Sequence, residues 1–182
     1  MSDRYPAEIH IGSPIPQTLL DKLIQKIMEA GTSLNGYDDG CATEDEVRAT
    51  LREGNILDLC DCHASYGHFQ ELEEFLIQNG IHFNHHCEAC YEYDAVNTYY
   101  RGDTILTMAA TQSGDCLVPI TDVLHILNNH NLDDHRKLEA LTKLIMPPET
   151  KPLEPIRFVQ IIKKYGRSIK CPRTTKKSTL LG

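Results

Sequence analysis

Apolar positions change period along this chain, and the changes mark its elements. Residues 7–12 alternate, with Ile9 and Ile11 on one side and Glu8 and His10 on the other, which predicts a half-buried strand. Leu20, Leu23, Ile24, Ile27 and Met28 then recur at helical spacing, after Pro14 and Pro16 and before Gly31, so a helix is expected to cover one face of the sheet. Thr43 and Glu46 form a T-x-x-E capping box, in which each side chain satisfies a backbone N–H left open at a helix start; Gly54 stops the helix. Strand character resumes at 56–59. Ser65 is the expected cap of a helix over 66–79 carrying Phe69, Leu72, Phe75 and Leu76, ended by Gly80, and the next strand is expected near 81–86.

Further on, R-G-D-T at 101–104 and Q-S-G-D at 112–115 place Gly or Asp between β-prone runs, as tight hairpins require. Segments 96–101, 104–111 and 116–120 are therefore expected to form a meander. Thr121 is the expected cap of a helix through Val123, Leu124 and Leu127, and a second helix carries Leu138, Leu141, Leu144 and Ile145. The succession predicts an α+β fold, a mainly antiparallel sheet with helices packed on it, and a ferredoxin-like split β-α-β core is the expected topology. One domain is expected over 1–146. Residues 147–155 hold four prolines, which neither continue a helix nor donate to a ladder, and read as a linker. Residues 156–182 read as a short amphipathic helix to about 165, carried by Ile156, Val159 and Ile162, followed by a basic disordered tail.

Composition adjusts this picture in three ways. At 182 residues, 41% hydrophobic and 24% charged, with no apolar run approaching the ~20 residues of a bilayer span, the chain reads as an ordinary soluble protein without membrane contact. The N-terminus lacks the basic start and apolar core of an export signal, and seven cysteines scattered as an odd number do not suggest a disulfide framework, so a reducing cytoplasm is the expected location. Charge is uneven: residues 1–156 carry ten bases against twenty-six acids, −16, while residues 157–182 carry eight bases and no acid. Such a tail either meets an anionic partner, nucleic acid included, or folds back on the acidic body; the bland alternative is a solvated end.

Candidate chemistry concentrates between 60 and 90. Cys60, Cys62, Cys87 and Cys90, with His63, His82, His85 and His86 nearby, supply the thiolates and imidazoles that zinc prefers. Only Cys87-x-x-Cys90 has the spacing of a zinc knuckle, and the competing reading is that Cys60 and Cys62 pack as small apolar residues. A redox role for Cys87 and Cys90 lacks the following helix that lowers a thiol pKa. Asp38 and Asp39 lack the ligand rhythm of a calcium loop. Neither phosphate-binding glycine motif occurs, which disfavours nucleotide hydrolysis and classical dinucleotide binding. The expected function is an acidic binding or accessory module, non-enzymatic, acting on an unidentified protein partner. The alternatives are a zinc-stabilised or metal-dependent protein using the 60–90 residues, and a nucleic-acid-associated protein acting through the tail.

Overall fold

The computed structural model describes residues 3–34, 36, 40–89 and 94–159. Its centre is β1 (Arg4–Ile11), whose alternation buries Tyr5, Ala7, Ile9 and Ile11 on one face and leaves Glu8 and His10 half-exposed on the other. Around it lie β3 (Ser33–Leu34), β4 (Leu57–Ser65), β5 (Phe83–Cys87), β6 (Val96–Arg101) and β7 (Thr104–Ala109), in the order β3-β4-β1-β5-β6-β7. Every neighbouring pair is antiparallel. β4 and β5 both run against β1 and hence parallel to one another. The helix between them, α3 (Gln70–Gln78), makes the crossover of a split β-α-β unit. The unit is single, because β5, β6 and β7 continue as a meander.

Helices α1 (Leu20–Ala30), α2 (Glu44–Glu53) and α3 form the layer over this sheet, α1 touching both of the others. Leu23, Ile24 and Ile27 of α1, Val47 and Leu51 of α2, and Leu72 and Leu76 of α3 join Ile9, Ile11, Leu57, Leu59 and Phe83 in one core. The capping box forms as its sequence requires: Glu46 N–H donates to Thr43 Oγ1 and Thr43 N–H donates to Glu46 Oε2. Gly31 and Gly54 close α1 and α2 in the left-handed conformation.

Four expectations change. Ser65 ends β4 and caps nothing. The chain turns through Tyr66 (φ 53°) and Gly67 (φ 68°) before α3 begins at Gln70, where the Glu73 carboxylate accepts the Phe69 N–H. The third meander strand shrinks to a single Ala110–Cys116 bridge. Thr121 lies inside α4 (Ile120–Leu127), which follows Pro119; α5 (Asp134–Ile145) is capped by the Asp133 side chain accepting from Arg136 N–H. In place of the helix expected from 156, β8 (Phe158–Val159) pairs in parallel with β2 (Ile15–Pro16). Leu153 and Ile156 are buried, and Ser13 N–H donates to the Glu154 carbonyl, so the end of the proline-rich stretch packs on the body. The expected basic tail and its helix beyond 159 lie outside the described residues.

Candidate metal centre

Strand pleating decides which of the 60–90 residues meet. Cys60 pairs with Glu8 and Cys87 with Ala7 across the shared neighbour β1, and adjacent residues of a strand face opposite sides, so the sheet separates these two thiols. Both are buried, Cys60 on the side away from the helices with its thiol pushed up by burial and then by the Glu8 charge. Cys62 lies where β4 slips register against β1, with Sγ 2.7 Å from His63 Nδ1. Cys90 lies outside the described residues. Sequence proximity put Cys60 and Cys87 on one passage; in the fold β1 inserts between their strands and they lie on opposite faces of the sheet.

A different group converges. His85, the third residue of β5, faces the helix side of the sheet, where it pairs with Ile9 and is buried, while its neighbour His86 faces the other way. The turn that Gly67 makes brings its carbonyl 2.7 Å from His85 Nε2. A Cβ at Gly67 would overlap Cys87 Sγ, so glycine is needed here for the close approach as well as for its φ. A carbonyl oxygen only accepts, hence Nε2 carries the ring proton and the neutral imidazole presents a lone pair at Nδ1. That Nδ1 is buried and has no hydrogen-bond partner.

What lies around it is a carboxylate and a second imidazole. Glu73, in the first turns of α3, sets Oε1 3.6 Å from His85 Nδ1 and 3.5 Å from His68 Nδ1. The His68 and His85 rings are 5.1 Å apart, and Phe69 meets the His85 ring edge-on from the same turn. Donor atoms of His68, Glu73 and His85 all lie within 4.8 Å of one another. Burial holds His85 below its ordinary pKa despite the opposing Glu73 charge, which keeps it neutral. His68 is raised, by its contact with Glu73 first. Burial pushes Glu73 up, but the His68 contact and the Phe69 N–H outweigh it and hold the carboxyl below its ordinary value.

His68 and Glu73 also line a cleft of about 1110 Å³ bounded by α1, α3 and the 65–69 turn, with Arg4, Lys26 and Asp61 on its walls. His85 is not on its walls but adjoins both His68 and Glu73. The exposure falls in that order: the side chains of His68, Glu73 and His85 are 49%, 15% and 0% exposed. Asp61, Cys62 and His63 are a second trio with clustered donor atoms. They are consecutive on an irregular strand end, and none of their polar atoms is both buried and unpartnered.

His85 belonged to the sequence grouping, but His68 and Glu73 did not. Their only signal was a histidine five residues before a glutamate across a helix start, a spacing without a motif. No protein family, curated protein or solved structure matches this chain.

Proposed function

We propose that this protein is a zinc-binding accessory module whose ion ties the 65–69 turn, α3 and β5 together through His68, Glu73 and His85. The observation that carries the reading is the buried, unpartnered Nδ1 of His85 facing a carboxylate. An apolar setting makes an imidazole nitrogen without a partner costly, and a cation between it and Glu73 removes that cost. The spacings fit: zinc bonds of about 2.0–2.1 Å in a tetrahedron place neighbouring donors about 3.3 Å apart, close to the distances around Glu73 Oε1. The Gly67 carbonyl on Nε2 is the outer-shell partner that metal-bound histidines have, fixing tautomer and ring orientation. Two histidines and one carboxylate would supply three ligands, leaving a fourth to water or to a donor atom from whatever binds in the cleft.

Elemental analysis of protein purified without chelator or affinity histidines tests this. One equivalent of zinc is expected, lost in Glu73→Gln and in His85→Ala and retained in Cys60→Ser and Cys62→Ser. Metal-free wild-type protein, or metal that follows the cysteines instead, would overturn it. Reconstitution with cobalt is expected to give the visible absorption of a tetrahedral site.

A further inference from the structure

Helices α4 and α5 have no buried residue, though both are amphipathic. They pack on each other, with Val123 and Ile126 of α4 and Leu141 and Leu144 of α5 half-buried. A second set of apolar side chains is left facing outward. On α4 these are Ile120, Leu124 and Leu127, 67%, 48% and 46% exposed, at the i, i+4, i+7 spacing of one stripe. On α5 and its end they are Leu138, Ile145 and Met146, 64%, 54% and 69% exposed. Six large apolar side chains gathered on one hairpin make a contiguous exposed patch of the kind that marks an interaction surface.

We propose that this hairpin is a self-association surface, closing with a second copy of the chain into a four-helix bundle. Three features favour a second copy over a foreign partner. Two packed helices joined by the short 128–133 connection, with one inner and one outer apolar stripe, make half of a bundle, and a two-fold copy supplies the other half with an identical surface. The exposed stripe amounts to roughly 600 Å² per chain, near the ~800 Å² per partner of a stable interface. Charge points the same way. Residues 120–145 hold four acids and three bases, net −1, within a body, residues 1–156, of −16, so two like-charged copies meet there with little repulsion.

Sedimentation equilibrium of the full chain across a concentration series tests this. Wild type is expected to move from the 20.6 kDa monomer to twice that mass. Leu124→Glu, which puts a charge in the middle of the stripe at a position that is already half exposed, is expected to raise the dimer dissociation constant at least a hundredfold. Ile120→Gln is expected to raise it about tenfold, and both variants should keep the wild-type far-UV spectrum. Chelator is expected to leave the dimer intact, since the stripe holds none of His68, Glu73 and His85. A wild-type chain that stays monomeric at millimolar concentration would assign the stripe to a foreign partner. A dimer that survives both substitutions, or dissolves with chelator, would place the contact elsewhere; any of these results overturns the proposal.

Discussion

Leu72 shows how much one side chain carries. It is 1% exposed, sits on the inner face of α3 and packs among Ile9, Leu59 and Phe83 in the core. Leu72→Ala is expected to cost about 2–5 kcal/mol, the transfer of the lost methyls plus the cavity, read from the urea midpoint at unchanged slope. His82 carries a pH effect. Burial, then the Arg101 charge, lowers its pKa from the ordinary 6.5, with Glu154 opposing. The unfolded chain therefore takes up a proton near pH 6.5 that the folded chain refuses. Stability is unaffected well above that pH and falls as pH drops through it. In His82→Gln the dependence between pH 7.5 and 5.5 is expected to flatten, whatever the variant's absolute stability; an unchanged slope would remove His82 from the account. At this scale the core was legible, because Leu72, Leu76 and Phe69 announce their burial by spacing alone. His68 and Glu73 were not, since they meet only after the chain reverses at Tyr66 and Gly67, and a non-glycine residue at positive φ leaves no mark in a hydropathy pattern.

Helix α2 is the element most fully specified by its own residues. Its ends are local chemistry: a capping box at Thr43, three acids in the first turn and a left-handed Gly54 at the close. Thr43→Ala is expected to destabilise by about 1 kcal/mol, and Thr43→Ser by much less, as measured by thermal unfolding. Strand partners were less legible than strand existence. The 96–101 segment was placed residue for residue, since its turn at Gly102 is local. The 116–120 segment was not, because Pro119 denies the ladder a donor and leaves only the bridge at Cys116. The placement of the cysteines was hidden for the same kind of reason. Periodicity says which residues share a face of one strand, but not that β1 would come between β4 and β5 and set Cys60 and Cys87 on opposite sides. Amphipathicity in α4 and α5 likewise announced a buried stripe without saying what covers it.

For the molecule as a whole, a metal that binds only the folded chain is a stabiliser by mass action. Zinc at about a hundred times its dissociation constant is expected to add about 2.7 kcal/mol, and Glu73→Gln to abolish that response while its metal-free stability is compared separately by denaturant titration. None of the described helices is long and apolar enough to cross a membrane. The central place of β1 has a kinetic consequence. It is synthesised before either of its partners, and its register joins it to residues 46–61 positions later in β4 and 72–80 positions later in β5. Ribosomes add about 5–20 residues per second, so the strand leads its last partner by roughly 4–16 s. Through that interval it offers two unpaired edges and the apolar row of Ala7, Ile9 and Ile11, a template for any neighbouring nascent strand. Refolding from denaturant is expected in the slow, millisecond-to-second range of sheets built from distant pairings. In the cell, the danger to this protein comes before it is finished, while its best-protected strand is still its most exposed.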